Sequence, residues 1–199
     1  DDTFSFATAV LTALDTVAGG AGTGDKISFT NISSNADADY TGVTGVESIV
    51  QTTGSHNMTQ VFGANTNTSG ITKVTDGSGV LNLTVGAGHT NALTVALSTG
   101  SDVVDGSASA AVLDITVANA SLTSGDALTG GTSTDDKLTV TADGSTVTAA
   151  ELGGVTGIES IVYATNATTG AITLPDTIMA AGKTLTVDGT AITGSNNVL

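Results

Sequence analysis

The sequence predicts an all-β chain: a parallel β-solenoid or β-roll with Gly/Asp-rich corners, with tandem β-sandwich modules as the alternative. Three observations lead there. The first is an internal echo, in which Gly19-Gly20-Ala21-Gly22-Thr23-Gly24-Asp25-Lys26-Ile27-Ser28-Phe29-Thr30 returns as Gly130-Gly131-Thr132-Ser133-Thr134-Asp135-Asp136-Lys137-Leu138-Thr139-Val140-Thr141. Gly42-Val43-Thr44-Gly45-Val46-Glu47-Ser48-Ile49-Val50 likewise returns as Gly154-Val155-Thr156-Gly157-Ile158-Glu159-Ser160-Ile161-Val162. The offsets are 111 (130 − 19) and 112 (154 − 42) residues, so matched blocks recur in order with one insertion. Self-similarity of this kind marks stacked units that bury their apolar faces on one another. It divides the chain into a first repeat unit, 1–111, and a shorter second unit, 112–199, within one elongated stack. The second observation is the alphabet: aromatics are only 3%, and Val, Ile, Leu and Ala are set among Thr, Ser, Gly and Asn, which are β-formers with turn punctuation. The third is the spacing of short alternating segments, whose centres lie roughly 10 to 24 residues apart, as in solenoid rungs or sandwich strands.

Strands are expected at 3–8, 26–30, 46–52, 59–62, 71–74, 80–85, 92–97, 112–117, 137–142, 157–163, 171–174 and 183–187. Alternation is cleanest in Leu81-Asn82-Leu83-Thr84-Val85, Leu93-Thr94-Val95-Ala96-Leu97, Leu113-Asp114-Ile115-Thr116-Val117, Leu138-Thr139-Val140-Thr141 and Leu185-Thr186-Val187. Each buries one side and turns Thr, Asn or Asp outward. Helix is scarce. One or two turns are expected at 176–182, after Pro175 and closed by Gly182, and another short helix at 8–14.

Composition excludes several functions. The 199 residues suffice for a core without staples, and with no cysteine there are no disulfides. The formal charge is −15, and the basic residues are Lys26, Lys73, Lys137 and Lys183 with no arginine. A polyanion binder needs clustered cations, so nucleic acid is excluded and anionic membrane surfaces are disfavoured. No apolar run approaches the roughly 18 residues of a membrane helix, so membrane insertion is not expected; Asp1-Asp2 does not open a signal peptide, and the chain reads as a mature piece.

The Gly/Asp-rich corners carry the candidate chemistry. Calcium takes carboxylate and carbonyl oxygens from loops that glycine allows to fold around it. Segments 15–25, 100–106 and 126–136 have that character, which makes Asp15, Asp25, Asp102, Asp105, Asp126, Asp135 and Asp136 the candidate ligands. The competing reading is that these are turn aspartates bonded to the backbone. The segments resemble the nonapeptide calcium repeats of RTX-type β-rolls, although Asp25 and Asp136 come one residue late and only 100–106 keeps the G-x-D-x-V-x-G cadence.

Glu47 and Glu159 fall at the same place in both copies inside apolar strands, where a capping hydrogen bond is the expected role. His56 and His89 sit in Gly/Asn-rich surroundings and are expected to be exposed loop residues. No zinc spacing, no Gly-x-Ser-x-Gly elbow and no phosphate loop is present. Asn-x-Ser/Thr triplets at Asn31, Asn57, Asn67, Asn82, Asn119 and Asn166 allow glycosylation.

The Asp-Lys-Leu-Thr-Val-Thr block, the Gly-Val-x-Gly-Ile-Glu-Ser-Ile phrase, and the tail from Leu174-Pro175 to Lys183-Thr184-Leu185-Thr186-Val187-Asp188-Gly189 resemble segments of bacterial surface-layer proteins and related RTX-like giant repeat adhesins. The resemblance implies secretion to a bacterial cell surface, calcium-dependent folding or assembly, and a place in a lattice or filament. The expected protein is thus non-catalytic and extracellular, with copies of itself as partner. The alternative is an adhesin or spacer module that binds a surface partner or glycan. A solenoid enzyme such as a polysaccharide lyase needs basic residues in one cleft, and four scattered lysines disfavour it unless the two lysine-bearing blocks share a groove.

Overall fold

The computed structural model describes residues 1–7, 11–52, 54–141, 146–164, 171–179 and 183–190. Its strands, numbered in chain order, form two main parallel sheets. The long sheet stacks nine described strands: β1 (Thr3–Phe6), β3 (Lys26–Phe29), β6 (Ser48–Gln51), β8 (Lys73–Thr75), β10 (Leu93–Ala96), β12 (Leu113–Ala118), β14 (Lys137–Thr141), β16 (Ser160–Tyr163) and β17 (Thr186–Asp188). The second stacks β4 (Ser33–Asn35), β7 (Met58–Phe62), β9 (Leu81–Val85), β11 (Val103–Asp105), β13 (Ala127–Thr129) and β15 (Val155–Thr156). A two-stranded ladder joins β2 (Val17–Ala18) to β5 (Val43–Thr44). Every strand pairs in parallel with one a turn away, which makes the chain a β-solenoid and sets aside the sandwich alternative.

The register explains the echo. Along the long sheet Thr3 pairs with Lys26, Lys26 with Ser48, Ser48 with Lys73, Lys73 with Thr94, and Thr94 with Asp114. Five turns therefore advance the chain by 111 residues (114 − 3), the offset of the first echoed block. The echo is a five-turn unit laid on itself in register. Its second copy even reproduces a minor contact: Asn35 pairs with Gln60, and 112 residues on, Val147 bridges Ile172.

Alternation puts one file of side chains inside the long sheet: Phe4, Ile27, Ile49, Val74, Val95, Ile115, Leu138, Ile161 and Val187. Neighbours in the file are about 4.8 Å apart, so each branched side chain packs between two others. Phe4 and Val187, at the two ends, are half-buried; full burial of each of the other seven stabilises the fold by about 1.5–3 kcal/mol relative to exposure. The facing file of the second sheet runs Asn35, Gln60, Leu83, Val104, Leu128, Val155. Its two amides are buried and bonded. Tyr40 Oη donates to Gln60 Oε1 at 2.5 Å, Gln60 Nε2 donates to Asn35 Oδ1 at 3.3 Å, and Asn35 Nδ2 donates to the Leu11 carbonyl at 2.9 Å.

Some elements depart from expectation. Strands β2, β4, β5, β11, β13 and β15 are two or three residues long, too short to show a period. Helix α1 (Ala64–Ser69) forms in a polar Asn/Thr run and ends at Gly70 with φ +97°. Residues 176–179 make a turn in which the Ile178 N–H reaches the Pro175 carbonyl, rather than a helix; 180–182 lie outside the described residues. Residues 11–14 are a turn as well, and 8–10 of the other expected helix also lie outside the described residues.

Candidate functional site

The acidic residues define the site, and each of six sits immediately before a strand or at its threshold. Asp25 precedes β3, Glu47 β6, Asp102 β11, Asp126 β13, Asp136 β14 and Glu159 β16. Their carboxylates reach back one turn to a backbone N–H. Asp25 Oδ1 accepts from Asp2 at 2.5 Å, Glu47 Oε2 from Asp25 at 3.0 Å, and Asp102 Oδ1 from Leu81 at 2.9 Å. Asp126 Oδ1 accepts from Asp102 at 2.7 Å, Asp136 Oδ1 from Leu113 at 2.8 Å, and Glu159 Oε2 from Asp136 at 3.2 Å. These are charge-assisted bonds at positions where the chain swings into a strand and the ladder has not yet begun. Glu47 and Glu159 thus have the capping role expected of them.

Two of the six second oxygens are engaged as well, while Asp25 Oδ2 is buried without a donor. Asp136 Oδ2 accepts the Gly131 N–H at 2.7 Å and Asp126 Oδ2 the Thr123 N–H at 2.6 Å. Asp15 Oδ2 accepts the Thr12 N–H at 2.8 Å, the same local turn 111 residues earlier, and Asp105 Oδ1 caps Ser107 at 3.0 Å. Asp135 is exposed beside buried Asp136. Of the seven aspartates read as calcium ligands, four are therefore buried fasteners (Asp25, Asp102, Asp126, Asp136) and three lie separately at the surface (Asp15, Asp105, Asp135). Segment 100–106 holds strand β11. Among the described residues no three His, Cys, Asp or Glu side chains converge as metal ligands would.

The echoed glycines answer to close packing of turns. A Cβ on Gly19 would fall 1.9 Å from the Gly45 carbonyl oxygen, and one on Gly130 would fall 1.9 Å from that of Gly157. Gly45 and Gly157 themselves adopt φ +59° and +65°.

Two groups that the sequence did not single out lie in the interior between the sheets. Gln51 ends β6 pointing inward, and Asp76 follows β8 on the same face one turn on. Gln51 Oε1 and Asp76 Oδ1 are buried without a donor. Burial holds the Asp76 carboxyl above the usual range, against hydrogen bonds from Ser98 and Gly77. Asp102 is pushed up to about 7, chiefly by burial, with Asp76 and Asp126 adding to the shift and the Leu81 N–H opposing it.

His89 corrects an expectation, because it is fully buried. Its ring lies 5.3 Å from Phe62, Nδ1 is 3.2 Å from Thr66 Oγ1, and Nε2 has no partner. Burial lowers its pKa, against the pull of Asp37. Asp37 accepts from the backbone of Asn65 at 3.1 Å and Thr66 at 2.9 Å, at the start of α1. Burial would raise the Asp37 pKa, but these bonds outweigh it and hold the group below the usual range. A glycine-rich context misled for His89 because the loop folds inward beneath α1.

The lysines face outward along the long sheet in two grooves. Lys26 and Lys73 line one with Glu47; Lys137 and Lys183 line the other, of about 600 Å³, with Glu159. The two lysine-bearing blocks therefore do not share a cleft. Compared with known proteins, the chain matches no family model, no curated protein and no solved structure.

Proposed function

We propose that this chain is a non-catalytic structural module of a bacterial cell surface, one that associates with copies of itself into a lattice or filament. The observation that carries this reading is the use of its acidic side chains: residues that in an enzyme would face a cleft are here spent joining one turn to the next. A solenoid with a packed interior, polar Thr- and Ser-bearing faces and strands stacked in parallel from β1 to β17 suits an element built for length and contact. The resemblance to surface-layer proteins and RTX-like adhesins points the same way. In this reading calcium bridges carboxylates of neighbouring copies at Asp15, Asp105 and Asp135, since the other four are buried; at a net charge of −15 such bridging relieves repulsion between copies. The glycan-binding alternative is less well supported, because Phe29, Tyr40, Phe62 and Tyr163 are buried and Phe4 and Phe6 pack against the core.

Electron microscopy and light scattering with millimolar calcium and with excess chelator test the reading. Ordered arrays that disperse on chelation are the expected result. Arrays that persist without calcium remove the bridging role, and monomers under every condition overturn the assembly reading.

A further inference from the structure

The four lysines are the only basic side chains in a chain of charge −15, and all four bear on one face. Lys26, Lys73 and Lys137 project outward from the long sheet, and Lys183 lines the groove beside Lys137. Lys137 is held by Asp114 at 2.8 Å. Lys26, Lys73 and Lys183 have no carboxylate at ion-pair distance among the described residues. The grooves are related by the five-turn echo, with Lys26, Glu47 and Ser48 of one matching Lys137, Glu159 and Ser160 of the other. Five steps of about 4.8 Å put them about 24 Å apart.

The acidic counterpart repeats at the same interval. Asp39 follows β4 in the short turn Asp37–Tyr40, and Glu151, 112 residues on, follows the bridge at Val147. Both play one local role: Asp39 Oδ2 accepts the Ala36 N–H at 2.8 Å and Glu151 Oε2 the Thr148 N–H at 2.6 Å. Each has its other oxygen left over for an outside donor. Asp39 lies on the turn that begins with β3, the strand of Lys26, and Glu151 on the turn that begins with β14, the strand of Lys137.

We propose that the lysine-bearing face of the long sheet docks a second copy of this chain, through that copy's acidic turns at Asp39 and Glu151. The inference rests on the self-association reading and names its surface. Two solenoids side by side, axes parallel and turns level, set both lysine grooves of one against both acidic turns of the other. One charge pair alone is weak and unspecific; two at a fixed spacing select the register of the neighbour. The contact uses different patches on its two sides, so a docked copy still presents a free lysine face, and addition can continue.

Charge reversal tests the surface. Lys73→Glu with Lys183→Glu leaves the Lys137–Asp114 pair intact, and Asp39→Lys with Glu151→Lys changes only the turns. With circular dichroism showing the native fold, each double variant alone should need a protein concentration on the order of a hundredfold higher to associate, since like charges then oppose each other. An equimolar mixture should regain association, because each variant supplies the complement of the other. Salt of about 1 M, where the Debye length is about 3 Å, should disperse the wild-type assembly. If the wild type assembles but either double variant assembles equally well, or the mixture does not recover, the surface is wrong while self-association stands. If the wild type is monomeric throughout, both fail.

Discussion

Asp136→Ala removes a buried carboxylate that satisfies two backbone donors, Leu113 N–H at 2.8 Å and Gly131 N–H at 2.7 Å. Each donor stranded away from water costs about 1–3 kcal/mol, and relief of the buried charge offsets part of that, so a net loss of about 2–5 kcal/mol is expected. The repeat-equivalent Asp25→Ala is the internal control: Asp25 takes one such bond, from Asp2, and its Oδ2 has no partner, so about 1–2 kcal/mol is expected there. Urea unfolding followed by far-ultraviolet circular dichroism, with calcium and with chelator, measures both. The fastener account requires a loss at Asp136 that is the same in the two media and larger than at Asp25. A loss below about 1 kcal/mol, or one present only with calcium, would refute it, the latter by making Asp136 an ion ligand.

Ile115→Ala opens a cavity in the middle of the inward file, between Val95 and Leu138, and should cost about 2–5 kcal/mol in the same unfolding experiment. Asp102 has a folded pKa raised to about 7, so its contribution to stability is full below the ordinary carboxylate range and is lost as pH rises through about 7. Asp102→Asn keeps an acceptor for Leu81 and should melt higher than wild type at pH 8, with the difference fading below pH 5. His89 runs the opposite way: its folded pKa is lowered, so its contribution is full above the ordinary histidine pKa of about 6.5 and is lost as pH falls below it. His89→Asn should flatten the fall in melting temperature between pH 7 and 5, and an unchanged slope would rule out the buried ring as its source.

The sequence announced the solenoid through regularity and concealed it where regularity stops. Strands such as Leu81–Val85 and Lys137–Thr141 are visible because apolar and polar residues alternate long enough to show a period of two. Ser33–Asn35 is invisible for the converse reason: its two inward residues are Ser33 and an amide, Asn35, that holds the Leu11 carbonyl, and no hydrophobic pattern encodes that bond. The acidic positions were legible as a set, but not the cross-turn bonds they make. Asp next to glycine reads equally as an ion loop or a turn, and what separates them is the N–H one turn away, some 20 residues distant in sequence. Placement immediately before a short β run, as in Asp-Lys-Leu, Asp-Val-Val and Glu-Ser-Ile, was the available signal. His89 and Asp76 lie in stretches whose composition says loop, and only the closing of the turns over them decides burial.

The six carboxylates at strand thresholds all run one way, from the N–H of one turn to the acid of the turn that follows, whereas Asp37, which accepts from Asn65 and Thr66 of the following turn, runs the other. A partly wound chain therefore has unlike ends. Its leading end carries donors that wait for an acid still to arrive; its trailing end carries charged acceptors, which water serves well. At six of the eight turn-to-turn steps of the long sheet the added turn brings the acid its predecessor lacks, so a slip at those steps leaves a backbone donor unanswered. Such a stack has a direction written into its corners, and a break at any of those six steps would leave one face more adhesive than the other.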